Sequence, residues 1–298
     1  REYFAISDDL GAAYAGPRSP RFEEGLRRPP GYPAFVAAVR AVSGGGTPPV
    51  VLAQIAVSLL TIVLAWTLAR RLFGSRAALI TAWIMAVDPV HISSAGHIMS
   101  ETLFSPFLLG GTILLHRAQA DRDRSAAVGS GACWGIAAMI RPIALYLPLI
   151  LIPLLLLRHR RNVRLGCVSA SLFLFGFSPI VGSWILRNTL TTGTPLFSTL
   201  QNGSLLYYKA AGAVAAEEGT HYKEVQGVLR KELVRRIGPS PSPAERNRES
   251  AVLAWEVLRG HPRGWILSSA KGAYVMIRTP GHLDLLKLFF GRYDPPDQ

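Results

Sequence analysis

Charge is scarce in this chain. Asp, Glu, Lys and Arg make up only 17% of 298 residues, and acids are outnumbered 19 to 32. A soluble domain needs a charged shell, so this shortage, set against 49% hydrophobic residues and a mean hydropathy of +0.26, argues for a polytopic membrane protein. Cysteine is nearly missing as well. Cys133 and Cys167 both fall in apolar stretches, where they read as small buried hydrophobes rather than as disulfide or metal-binding partners. There is no internal repeat and no extended low-complexity tract. No basic leader and no cleavage site stand at Arg1, so the chain reads as a piece whose start lies upstream, and its last stretch as ending before a further crossing.

What is abundant is positive charge, a net +13 with a pI near 10.3. Nucleic-acid binding would gather that charge on one amphipathic face, whereas here it collects in short loops between apolar runs. Residues 1–28 hold Gly and Pro breaks and too few apolar residues to span anything. Ala34 to Val42 is half of a crossing, and is expected to lie along the interface or to pack as an ordinary amphipathic helix. Pro48 to Ala69 is the first clear span, with Gln54 its only strongly polar side chain. Runs at 77–96 and 98–116 follow, then two short runs within 125–157 split by Arg141 and Pro142, then a sixth from Leu165 to Leu186.

Alternating these runs puts the three basic loops, 70–76, 117–124 and 158–164, on one side, which the positive-inside rule makes cytoplasmic. The N-terminal loop, the bend at 88–101, Arg141 and everything after Arg187 then face outward. Beyond Arg187 the chain turns polar. Val225, Val228, Leu229 and Leu233 recur at helical spacing. Ser242, Pro243 and Glu245 form a capping-box pattern opening a helix with Ala251, Ala254, Trp255 and Leu258 on one face, stopping at Gly260. Residues 264–280 read as interfacial.

The stretch DPVHISSAGHIMSETLF, residues 88–104, carries the strongest chemical signal. A carboxylate at bilayer depth costs roughly 2.5–3.5 kcal/mol even on the gentler insertion scales, so Glu101, set between two apolar runs, is a candidate functional acid. An acid is also simply favoured at a helix N-terminus, here with Ser100 as its cap, and the two readings are compatible. His97 stands four residues earlier and would share a helix face with Glu101 if the helix began early, but no third ligand stands at metal spacing. Asp88 and His91 are placed in the polar bend.

Taken in order, Arg28-Pro-Pro-Gly-Tyr-Pro, ARRLFG, DPVHISSAGHIMSETLF, MIRPIALYLP and SWILRNTLTTGTPLFS resemble the GT-C superfamily of membrane glycosyltransferases. The nearest branch is the bacterial proteins related to protein O-mannosyltransferases and to the lipid A aminoarabinose transferase. The resemblance implies an all-α fold, a polytopic transmembrane helical bundle of the GT-C type with an outer helical loop region. We divide it into an outer loop and interfacial helix (1–46), a membrane core (47–187) and an outer polar and amphipathic segment (188–298). It further implies a multi-pass protein of a bacterial inner or plasma membrane with an outward-facing site. There a sugar passes from a polyprenyl-phosphate donor to a glycan, lipid or protein acceptor. The partners are that donor, membrane lipid and the acceptor, with no nucleic acid and no cofactor.

In the family a first-loop acid acts as base, four residues before an aromatic that resembles Tyr3. That position falls upstream of Arg1. Glu2, Asp8 and Asp9 stand nearby without matching it, and Glu2 is kept as the nearest candidate. Glu101 matches the acid that members carry after the second outer bend, where a carboxylate can accept or orient a sugar hydroxyl's proton. The departing phosphate needs cations, and Arg141, Arg187, Lys209 and Arg28 are the outward candidates, with His97 and Tyr32 as further substrate contacts. Arginines at span ends also snorkel to headgroups, and outer aromatics anchor interfaces. The expected reaction is an inverting glycosyl transfer. Its rivals are a flippase for lipid-linked material, which would need repeats the chain lacks, and a non-catalytic membrane scaffold.

Overall fold

The computed structural model describes residues 2–16, 18–19 and 21–278, and it is all-α, with no strand among them. In chain order the helices are α1 (Glu2–Asp8), α2 (Leu10–Ala15), α3 (Phe22–Arg27), α4 (Gly31–Ser43), α5 (Pro48–Phe73), α6 (Ser75–Val87), α7 (Pro89–Gly96), α8 (Ser100–Asp121) and α9 (Arg124–Ile140). A 3₁₀ turn at Pro142–Tyr146 leads into α10 (Leu147–Arg158) and α11 (Val163–Thr192). After α12 (Leu200–Ser204) comes a π-helical turn, Leu205–Ala210, and then α13 (Ala211–Glu218), α14 (Tyr222–Ile237), α15 (Pro243–Gly260) and α16 (Pro262–Arg278). Two compact units form. The first holds residues 2–13 and 29–185, and the second 14–28 and 186–278.

In the first unit, α5 and α11 are long and apolar enough to cross a membrane, and α6 with α7 makes a third such span if the pair, bent by 54°, counts as one. The remaining apolar runs form helices that are shorter or more polar. Leu149, Ile150 and Phe175 are among the large side chains left outside the packed interior, where lipid replaces water as their solvent. Small residues let the backbones meet. A Cβ on Gly131 would lie 1.9 Å from the Phe173 carbonyl oxygen, and one on Gly176 would lie 2.0 Å from that of Val128, so α9 and α11 touch backbone to backbone. Ser130 Oγ donates to the Gly111 carbonyl at 2.7 Å and ties α9 to α8.

The bend expected at 88–101 resolves into two features. Asp88 marks the first of them. It sits at the kink between α6 and α7, where its carboxylate accepts from the amides of Val90 (3.3 Å) and His91 (3.1 Å), and Pro89 occupies the first helical position. His91 Nε2 meets Ser58 Oγ at 2.7 Å. The turn proper is the extended segment 97–99, the eight-residue length of α7 away, or ~12 Å.

The second unit packs Leu206, Ala210, Ala211, Ala213, Val225, Leu229, Leu233, Leu253, Ala254 and Leu258 into one core. The face expected on α14 holds except for Val228, which is 64% exposed. On α15, Ser242 Oγ accepts from the Glu245 amide at 3.2 Å, as the capping pattern predicts. The buried face there is Ser250, Leu253, Ala254 and Leu258, while Trp255 turns outward to meet Trp265 edge-on at 6.0 Å. Arg236 joins the two helices, with bonds to Glu232 (2.8 Å), Glu249 (3.2 Å) and Glu256 (2.8 Å). The stretch expected to be interfacial forms α16 as far as Arg278, and residues 279–280 lie outside the described residues.

Candidate active site

Glu101 and Arg141 form an ion pair at the end of the α8–α9 hairpin. Local rules put each there. Glu101 lies in the first turn of α8, where the helix dipole favours an acid. Arg141 follows the last residue of α9 in an extended conformation, which Pro142 imposes on the residue before it, and its amide donates to the Ala137 carbonyl at 2.8 Å. Its guanidinium carbon stands 6.0 Å from the centre of the Phe104 ring. Because α8 and α9 run antiparallel, the positive end of one dipole meets the negative end of the other, and the two charges complement both. The side chains are 40% and 34% exposed, so the pair is open to a ligand and is worth little as a staple.

What holds this end in place is Gln54, the lone strongly polar side chain of α5 before its basic last turn, with no exposed surface. Its amide nitrogen donates to the Ala95 carbonyl (3.2 Å) and to the His97 carbonyl, two of the groups that the end of α7 leaves unpaired. Its oxygen accepts from the Tyr32 hydroxyl. Tyr32 meets Tyr3 edge-on at 4.5 Å, and the Tyr3 hydroxyl reaches Ser100 Oγ at 3.4 Å. Burial, and then the neighbouring Tyr3 and Glu101, hold the Tyr32 phenol above its ordinary pKa, so it stays neutral. Gly31 lets α4 approach this end, since a Cβ there would lie 2.6 Å from the Met139 carbonyl oxygen. Neither Gln54 nor Tyr3 was among the expected site residues. The signal for Gln54 was its isolation, because a polar group alone in an apolar span needs partners.

Several expectations change here. Tyr32 cannot stack on a sugar in this arrangement, because it is fully buried and acts through Gln54. His97 shares no helix with Glu101, because α7 ends at Gly96 and α8 starts at Ser100. Its Nδ1 bonds the Ser93 carbonyl at 2.8 Å instead. No group of three metal-binding side chains occurs among the described residues. Ser100 is not the cap of α8. That place belongs to Met99, and Ser100 Oγ lies 3.5 Å from a Glu101 oxygen. Glu2 opens α1, and its side chain lies outside the described residues. Asp8 pairs with Arg40, and Asp9 accepts from the Ala12 amide at 2.7 Å, so both have local structural partners.

The remaining candidates belong to the second unit. Arg187 donates to Asn188 Oδ1 at 2.8 Å and to the Tyr14 carbonyl, and lies 5.4 Å over the Phe22 ring. The Arg28 carbonyl accepts from the Tyr14 hydroxyl at 3.1 Å. Lys209 lies exposed in the π-helical turn.

No curated protein and no solved structure matches the chain. Residues 27–185, more than half of its length, match the family model described as dolichyl-phosphate-mannose-protein mannosyltransferase, and the match takes in Gln54, Glu101 and Arg141. An all-α membrane fold and this match agree with the resemblance carried by the motifs, and the chain belongs to the dolichyl-phosphate-mannose-protein mannosyltransferase family, membrane glycosyltransferases of the GT-C superfamily.

Proposed function

We propose that the protein transfers a sugar from a polyprenyl-phosphate donor to an acceptor hydroxyl on the outer face of the membrane, with inversion, using Glu101 and Arg141. The observation that carries this is the half-open ion pair at the end of α8 and α9. Basic residues crowd the other end of the same helices. Arg70 lies ~30 Å along α5 from Val50, which packs with Leu103 beside the pair, and Arg117 and Arg122 close α8. The positive-inside rule then makes the Glu101 end the outward one.

The step is a single displacement. The acceptor oxygen bonds to the anomeric carbon as the bond from that carbon to the phosphate oxygen breaks, and the leaving polyprenyl phosphate keeps the electron pair. The acceptor's proton passes to the Glu101 carboxylate, which is worth about 10²–10⁴ in rate for a positioned base. Arg141 turns from Glu101 to the phosphate as charge develops on it, its planar fork giving two bonds at once. That exchange also frees the carboxylate when donor is bound. Gln54 and Tyr32 position the turn from which α8 starts.

Replacing Glu101 by Gln in the full-length protein tests the reading. With melting unchanged, turnover of a polyprenyl-phosphate sugar should fall by about 10² or more. Wild-type turnover in that variant would remove Glu101 from the mechanism.

A further inference from the structure

A cavity of about 530 Å³ opens within the second unit. The π-helical turn Leu205–Ala210 forms one wall, in a backbone conformation that is rare and often found at functional sites. It places two consecutive aromatics, Tyr207 and Tyr208, on the cavity, and Tyr208 remains 64% exposed. Three guanidinium groups from three different helices line the same space: Arg27 of α3, Arg230 of α14 and Arg246 of α15. Glu23 is the one acid among the lining residues, and it is bonded to Arg246 at 2.9 Å. Arg230 stands 5.9 Å over the Tyr207 ring and has no ion pair among the described residues.

Each feature answers to a different part of one ligand. Excess guanidinium suits a phosphate or carboxylate, and adjacent tyrosines suit the flat apolar face of a sugar ring. We propose that this cavity binds a negatively charged saccharide, with its ring against Tyr207 and Tyr208 and its anionic group on Arg230 and Arg246. Any part this cavity plays in sugar transfer rests on the glycosyltransferase reading above. As a binding site it is measurable without it.

The full-length protein in detergent is titrated calorimetrically with glucose 1-phosphate, glucuronate, glucose and inorganic phosphate. At least one charged sugar should bind about tenfold or more tightly than glucose or inorganic phosphate, and comparing the two tells phosphate from carboxylate recognition. Arg230→Ala should weaken that binding about tenfold. Glu23→Gln removes the competing carboxylate and releases Arg246, so it should tighten binding, a gain that damage to the fold cannot imitate. Equal affinity for inorganic phosphate and both charged sugars, no binding of either sugar, or an unchanged or weaker Glu23→Gln variant would each overturn the proposal. The two readings fail separately. Loss of turnover in Glu101→Gln without sugar binding sinks the cavity alone, and sugar binding with full turnover in Glu101→Gln sinks the catalytic pair alone.

Discussion

Replacing Gln54 by Leu is the sharpest probe of how the candidate site's end of the helices is held. Leucine roughly keeps the volume but strips three bonds from a site with no exposed surface: the acceptor for the Tyr32 hydroxyl and the donors to the Ala95 and His97 carbonyls. A net bond is worth ~0.5–1.5 kcal/mol and an orphaned buried group costs ~1–3 kcal/mol, so the expected loss is about 2–4 kcal/mol. Tyr32→Phe removes one of those bonds and should cost about 1 kcal/mol. In the double variant neither the hydroxyl nor its acceptor remains, so its cost should fall short of the sum by about 1 kcal/mol, the signature of a direct contact. Unfolding in detergent, followed by tryptophan fluorescence, supplies all four stabilities. A Gln54→Leu variant within about 0.5 kcal/mol of the parent, or strictly additive singles, would refute the idea that this amide organises the turn.

Other consequences can be checked in the same way. Gly176→Ala should push α9 and α11 apart, because its Cβ would lie 2.0 Å from the Val128 carbonyl oxygen, and the melting experiment should show a loss of about 1–3 kcal/mol or more. Asp88→Ala should cost about 1 kcal/mol by uncapping α7, and Asp88→Asn, which keeps an accepting oxygen, should recover most of it. Arg141→Ala should change stability by less than about 1 kcal/mol, because the pair is exposed, yet lower kcat/KM about a hundredfold if the guanidinium meets the departing phosphate. The Glu232 carboxyl is pulled from its ordinary 4.5 down to about 2 by hydrogen bonds from Arg235 and Arg236. A depressed acid contributes fully above its unfolded pKa and loses that contribution as pH falls through the folded one. Helical circular dichroism from α14 should therefore weaken as pH drops from 4.5 towards 2, and Arg236→Ala, which removes one of the two partners, should show part of that loss already at neutral pH.

Local chemistry accounts for what could be read along the chain. The helical class, the runs, the Arg141–Pro142 break, the cap at Ser242 and the stop at Gly260 all depend on residues within a turn or two of one another. Glu101 stood out because an acid between apolar runs is costly wherever the helices go. The errors share one cause. Val228 and Trp255 leave the faces that spacing gives them, and Tyr32 packs on Gln54 rather than facing a ligand, because periodicity says which residues align, and not what stands opposite them.

From its sequence alone, then, the protein's character as an all-α membrane chain, the family it resembles and the identity of its candidate acid were already determined, since these follow from hydropathy, loop charge and motif order. Only the tertiary structure decided that Arg141 is the partner of Glu101, that Gln54 holds the turn between them and Tyr32, and that Arg27, Arg230 and Arg246 line one cavity. Those pairings join residues 16 to more than 200 positions apart, and such distances are bridged by helix packing, which no local pattern encodes.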